Sequence, residues 1–308
     1  MLMRQIHLSR DGIRLGMHLA RFALVLSAVF CVTGFMTPTV DAAELRIGIT
    51  QAMYVKDSLA YDKWARYLSE RTGQSVRFVY RKSYHEIQEL LRRNDLDFAW
   101  ICGYPYARGT DAGILRYIAT PEFRGEPYYR IYLIVPASSP ARSLEDLKDG
   151  IFAFSDPDSV SFRALIAGHL SPDRSVVDPN RMFRIHFFTY SHAETIKAVA
   201  DRMTDGGSVD GQVWEAISIE SPELARKTRV IARSGTYGLP PFVASSRANE
   251  LQIASLKKAL LGMDTDKEGK ELLGILQLTR FAPHGDKLYD SIRLDLDIPR
   301  SKARRAWQ

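Results

Sequence analysis

The stretch from Leu45 to Ile101 restricts the possible fold more than any other part of the chain. Leu45-Arg46-Ile47-Gly48-Ile49-Thr50 alternates and is rich in branched residues, the pattern of a strand. From Ser58 to Arg71, Leu59, Trp64, Tyr67 and Leu68 recur at helical spacing, and Gly73 ends the run. Val76 to Tyr80 is a second strand. Ser83-Tyr84-His85-Glu86 then has the spacing of a capping box and opens a helix through Leu91. Asn94-Asp95 turns the chain into Leu96 to Ile101, a third strand. A βαβαβ order predicts a parallel sheet with helices on both faces.

The same order returns further on. Ile151 to Phe154 reads as a strand and Phe162 to Leu170 as a helix, followed by a strand over Phe183 to Phe188. Ser191-His192-Ala193-Glu194 is another capping box, opening a helix to Met203. Asp205-Gly206-Gly207 turns into a strand from Ser208 to Trp214. Leu96-Asp97-Phe98-Ala99-Trp100 and Val209-Asp210-Gly211-Gln212-Val213-Trp214 match loosely, each with an Asp at the start and a Trp near the end. Two α/β lobes of similar build are expected. Tyr128 to Val135 reads as a long strand and Pro136 to Pro140 as a linker. Ser143 to Asp146 starts a short helix, and Thr228 to Arg233 is a further strand. Ser234 to Pro241 is a second crossing, Phe242 to Ala244 rejoins the first sheet, and Leu251 to Met263 and Gly269 to Leu276 are helices. The expected division is residues 44–135 and 240–308 in the first lobe and 136–239 in the second.

Ligands of open α/β sheets bind beyond the C-terminal ends of strands. Cys102-Gly103-Tyr104-Pro105-Tyr106-Ala107 lies at such an end, where Gly103 and Pro105 permit a tight turn and the tyrosines either wall a pocket or pack. Ser155-Asp156-Pro157-Asp158-Ser159-Val160-Ser161-Phe162-Arg163 lies at another. There a strand ends in a hydroxyl-rich turn that opens a helix. Unpaired helix N–H groups and the helix dipole suit an oxyanion, and Ser159 and Ser161 can add hydroxyl donors. The plainer alternative is that Asp158 or Ser159 only caps the helix.

Several classes are disfavoured. With 45% hydrophobic and 25% charged residues, the composition is that of an ordinary globular chain. The net charge of +6 comes without a basic stripe interleaved with aromatics, so nucleic acid is not expected as a partner. His85, His169, His186, His192 and His284 lack close ligand spacing, so no metal and no cofactor is expected. His186, inside an apolar strand, reads as a core residue. Arg4, Arg10, Arg14 and Arg21, an apolar stretch from Phe22 to Met36, and small residues at Val40-Asp41-Ala42-Ala43 give residues 1–43 the order of a cleaved signal peptide. The destination is then the periplasm. Cys31 would leave with the signal, and Cys102 would remain alone, without an internal disulfide. The basic tail from Arg300 to Arg305 reads as a solvated end.

The strand Leu45 to Thr50, Leu96 to Trp100, Tyr104, Ser155 to Ser161, Ser191-His192 and Val209-Asp210, in this order behind an export signal, resemble the periplasmic phosphonate/phosphite/phosphate-binding protein family. These are solute receptors of ABC-type transporters. The resemblance spans roughly residues 44 to 280. It implies the two-lobe (type II) binding-protein fold, with each lobe a mixed, mostly parallel sheet flanked by helices and two crossings as the hinge. It also implies a cleft for a small oxyanion, no catalysis, and an ABC permease as membrane partner. Ser159 and Ser161 would bind the anion at the helix start around Val160, and His192 would donate a ring N–H. Asp210 would accept from a protonated ligand oxygen or a ligand amine, and Tyr54 and Tyr104 would close the cleft from the first lobe. Val160 and Phe162 depart from the family, which usually has a small polar residue and a Gly there. Arsenite-sensing relatives use a cysteine near Cys102, a soft ligand. This implies the alternative of a receptor feeding a sensor kinase. A remote alternative draws Cys102, His192 and Asp210 as a hydrolase triad.

Overall fold

The computed structural model describes residues 44–51, 59–171 and 173–296. The expected signal peptide, Tyr54 and the basic tail lie outside them. Two sheets organise the described chain. The first begins as expected, with β1 (Leu45–Ile49), α1 (Ala60–Thr72), β2 (Val76–Tyr80), α2 (Tyr84–Arg93) and β3 (Phe98–Trp100), and continues into a helix the sequence reading did not expect, α3 (Gly103–Asp111). β1 pairs in parallel with both β2 and β3. Ser83 and Glu86 form the reciprocal capping box at the start of α2. β4 (Leu115–Glu122), which the sequence reading did not separate, then leads to the first crossing.

The second sheet repeats the plan. It contains β5 (Tyr128–Pro136), β6 (Ile151–Phe154), α4 (Val160–Ile166), α5 (Pro179–Met182), β7 (Ile185–Phe188), α6 (His192–Ala200), β8 (Gly206–Asp210), α7 (Gly211–Glu220), α8 (Pro222–Ala225) and β9 (Thr228–Gly238). β6 pairs in parallel with β7 and β8, as β1 does with β2 and β3. The chain returns to the first sheet through β10 (Phe242–Ser245), α9 (Glu250–Leu261), α10 (Lys267–Ile275) and β11 (Arg280–Ala282), and ends in α11 (Asp290–Asp295). The sheet orders are β11-β4-β10-β3-β1-β2 and β7-β6-β8-β5-β9.

One boundary differs from expectation. Tyr128–Pro136 pairs antiparallel with β8 and β9, so it belongs to the second sheet and not the first. The crossing therefore falls at residues 123–127, before this strand, and Pro136 ends it. The two crossings bond to each other, with Leu239 N–H donating to the Pro127 carbonyl at 2.8 Å. Tyr289 ties the second crossing to β4, because its hydroxyl lies 2.7 Å from Thr120 Oγ1 near the end of β4 and donates to Leu239 O at 2.8 Å.

Apolar side chains fill three layers. A central cluster includes Ile87, Ile101, Ile131, Phe152, Val160 and Tyr237, and so is built by both sheets. Each sheet buries a further cluster on its far face. Trp64 centres the one behind the first sheet, with ring centroids of Phe78, Trp100, Phe242 and Phe281 within 5.1–5.8 Å. β7 is an edge strand, which leaves His186 half-buried at the margin and not in the core.

Candidate functional site

Five helices begin beyond the C-terminal ends of β2, β3, β6, β7 and β8. Their N-caps are Ser83, Cys102, Ser159, Ser191 and Asp210. Three of these side chains cap their own helix: Ser83 accepts from Glu86 N–H, Ser159 from Phe162 N–H and Ser191 from Glu194 N–H. Cys102 and Asp210 do not. They occupy equivalent places after β3 and β8, and this is the true correspondence between the halves. Two expectations change accordingly. Gly103 to Ala107 is the first turn of α3, where Pro105 is tolerated because first-turn N–H groups have no helical acceptor. Asp210 ends its strand, and Trp214 belongs to α7 and not to a strand end.

The helix starts meet. Tyr84, first residue of α2, has its hydroxyl 3.4 Å from Nε2 of His192, first residue of α6. The Tyr84 N–H donates to Asp156 Oδ2 at 3.0 Å. Asp210 N–H donates to His192 Nδ1 at 3.1 Å. Nδ1 is therefore an acceptor, and the ring proton of a neutral His192 resides on Nε2. That nitrogen lies 3.3 Å from Asp210 Oδ2. Among the described residues, neither Asp210 oxygen has a hydrogen-bond partner, although the residue is fully buried. The Tyr129 hydroxyl is likewise buried without a partner. A buried polar atom left unpaired costs about 1–3 kcal/mol, more when charged.

The serine turn contributes a chain of three hydroxyls. Ser161 Oγ lies 3.2 Å from Ser155 Oγ and 2.9 Å from Ser159 Oγ. Ser159 Oγ also accepts the Phe162 N–H at 3.1 Å. Two contacts use two of the three hydroxyl protons, so one O–H remains to donate outward. Ser159 therefore caps the helix, as the plainer reading held, and sits in the hydroxyl chain as well.

Cys102 is fully buried. Burial pushes its thiol up, the Asp210 carboxylate pushes it further, and the Val160 and Tyr104 N–H groups oppose the shift. The sulfur thus faces α3 and the start of α4 together. Burial raises the Tyr84 and Tyr129 hydroxyls well above the usual range, with Cys102 and Asp210 adding to the shift in both. Asp156 is raised by burial, against the Tyr84 and Asp158 N–H groups. Tyr104 stands aside from this centre. Arg163 and Arg108 lie over its ring at 4.8 and 5.5 Å from the centroid.

Cys102, Val160, His192 and Asp210 are therefore brought together beside Ser159 and Ser161, with Tyr104 at the margin. Tyr84, Tyr129 and Asp156 were not singled out from sequence. A signal for Tyr84 existed, since Ser83-Tyr84-His85-Glu86 and Ser191-His192-Ala193-Glu194 share one spacing with the site residue next to the cap, although the expected box at Ser191 forms only its serine half. A catalytic thiol needs a lowered pKa, and burial pushes the Cys102 thiol the other way.

Two mixed sheets joined by two crossings, with donors gathered between them, make a two-lobe α/β fold. A sequence model of the family described as "ABC transporter, phosphonate, periplasmic substrate-binding protein" matches residues 48–289. The chain belongs to this family, whose members bind solutes for ABC transporters and are not enzymes. Its fold is similar to a binding protein component of an ABC phosphonate transporter from Pseudomonas aeruginosa, with a TM-score of 0.76 and 23% identity over 87% of this chain and 90% of that one. It is similar to PhnD1 from Prochlorococcus marinus in complex with methylphosphonate, with a TM-score of 0.70 and 21% identity over 82% of this chain and 96% of that one. A histidine kinase sensor domain similar to periplasmic binding proteins shares the fold at a TM-score of 0.54 and 14% identity, over 78% of this chain and 99% of that one. No curated protein matches the chain in sequence.

Proposed function

We propose that the chain captures a small tetrahedral oxyanion of the phosphonate, phosphite or phosphate class between its two lobes and delivers it to an ABC permease. Residues 1–43 would direct it to the periplasm and be removed. The observation that carries this reading is the buried Asp210 carboxylate, which accepts no hydrogen bond although His192 Nε2 stands 3.3 Å away. A ligand that complements it offers acceptor oxygens to His192 Nε2–H, to the spare hydroxyl of the serine chain and to the helix starts. It also offers one O–H or N–H to Asp210. A monoprotonated phosphonate or phosphite does both. Sulfate, without a proton at neutral pH, leaves Asp210 unpaired and facing a second anion. Neutral donors and helix starts can satisfy such an anion without a large opposing charge.

Family membership favours delivery to a permease over the periplasmic domain of a sensor kinase. The test is calorimetry on the mature chain against methylphosphonate, phosphite, phosphate, arsenate, arsenite, selenite and sulfate. Tight binding of a protonated tetrahedral oxyanion with sulfate silent is the expected result. Binding of none of them, or of sulfate equally well, overturns the reading. Arsenite binding that Cys102→Ser alone abolishes would transfer the function to a soft ligand.

A further inference from the structure

We infer that the β6–α4 loop carries, next to its anion-binding groups, a latch between the two halves: Asp156 and Asp158 grip α2 and α3 of the first half when the cleft is closed, and so set how long the ligand is held. The inference rests on the oxyanion reading only for its ligand-dependent arm. Gln88 and Asp158 are not among the groups assigned to the ligand.

The geometry is as follows. Asp156 Oδ1 accepts the Asp158 N–H at 2.8 Å, which fixes the turn, while Oδ2 accepts the Tyr84 N–H of α2 at 3.0 Å. Asp158 Oδ2 accepts from Gln88 Nε2, one turn further along α2, at 2.9 Å. Asp158 Oδ1 lies 3.2 Å from Arg163 Nη2 in its own half and 3.9 Å from Arg108 Nη1 of α3. Arg108 and Arg163 come from opposite halves and flank the Tyr104 ring. Beside them, Lys82 of the first half lies over the Tyr190 ring of the second at 5.1 Å.

These contacts differ from ordinary surface pairs. The Asp158 side chain is 15% exposed and that of Arg108 18%. Gln88 is 8% exposed, and Asp156 2%. Pairs this enclosed are screened less than exposed ones. Tyr84 N–H and Gln88 on α2 and Arg108 on α3 meet their acceptors on a loop of the other sheet, so separating the halves breaks these three contacts, while Arg163 stays with Asp158. The acceptors also lie within five residues of Ser159 and Ser161. A loop ordered by an anion is thereby presented to α2, and a loop gripped by α2 is ordered for the anion. Binding and closure reinforce each other through one short segment.

Charge repulsion followed by rescue isolates this role from folding. Gln88→Glu sets a carboxylate against Asp158 only when the cleft is closed. It should speed methylphosphonate release about tenfold, measured by stopped-flow displacement, and leave the thermal midpoint of the ligand-free chain within about 2 °C. Asp158→Asn in that background should restore slow release. Unchanged release in Gln88→Glu, or failure of the double variant to recover, overturns the latch. A ligand-independent arm uses Gln88→Cys with Asp158→Cys and a short bismaleimide, read by peptide mass mapping. A crosslink between residues 88 and 158 supports the latch even if no oxyanion binds, and its absence overturns it. Absence of methylphosphonate binding in the unaltered chain strikes the oxyanion reading alone.

Discussion

Asp210→Asn separates what the buried carboxylate does for the ligand from what it does for the protein. Asp210 is fully buried, its N–H holds His192 Nδ1, and its two oxygens have no hydrogen bond among the described residues. The substitution leaves the backbone contact and the shape intact, removes the charge and turns one acceptor oxygen into an amide donor. Against a ligand that donates a proton, it exchanges a charge-assisted hydrogen bond for a neutral or mismatched one, a loss of about 1.5–3 kcal/mol. At 1.4 kcal/mol per tenfold, methylphosphonate affinity should fall about 10- to 150-fold. The ligand-free protein should not suffer. The buried charge accepts no hydrogen bond and has only His192 Nε2 nearby at 3.3 Å, so the thermal midpoint should stay within about 2–4 °C of the parent. Isothermal calorimetry and a thermal scan on the same preparation check both limbs. A folded Asp210→Asn protein that binds methylphosphonate within twofold of the parent would refute the reasoning, because the carboxylate would then not face the ligand.

Other perturbations have equally definite outcomes. Burial pushes the Glu122 carboxyl upward, but hydrogen bonds from Arg280 and His284 outweigh it, so its pKa is lowered. The stability this confers is complete above the unfolded value of about 4.3 and is lost as pH falls through the folded value. Glu122→Gln should therefore flatten the acid limb in urea unfolding between pH 7 and 3. The Cys102 thiol, raised by burial and by Asp210, should resist maleimide at neutral pH while the halves are closed, and labelling followed by mass spectrometry in mild urea should show reaction only as they part. Trp64→Ala empties the centre of an aromatic cluster and should cost about 3–5 kcal/mol in denaturant unfolding.

Local chemistry accounts for what could be seen in the chain beforehand. Alternation in β1 and β2, the capping box at Ser83 and the Ser191 cap marked their elements because each signal is written within a few neighbouring residues. Asp210 was misplaced because β8 is almost without branched residues. Gly206 and Gly207 serve there as spacers, since a Cβ on Gly207 would lie 2.8 Å from Thr195 Cγ2 and one on Gly206 2.8 Å from Leu147 Cδ1. Val213 and Trp214 then looked like the strand, although they open the helix. Tyr128–Pro136 was recognised as a strand, but its partner is fixed by pairing with distant residues, from Gly207 to Gly238. No local pattern encodes that choice. The same holds for the site: Cys102, Ser159, His192 and Asp210 stand at visible boundaries, whereas Tyr129 is one of several aromatics in β5 and its hydroxyl gains meaning only from what surrounds it.

The pairing of β5 also bears on how the protein is assembled. The second sheet is drawn from one uninterrupted stretch, residues 128–238, whereas the first needs β10 and β11 from the far end of the chain. During synthesis the middle of the polypeptide can reach its final pairing while its beginning waits for residue 282 to emerge. The aromatic surface around Trp64 stays uncovered until then. An excised 128–238 fragment should fold by itself, and the remaining pieces should not.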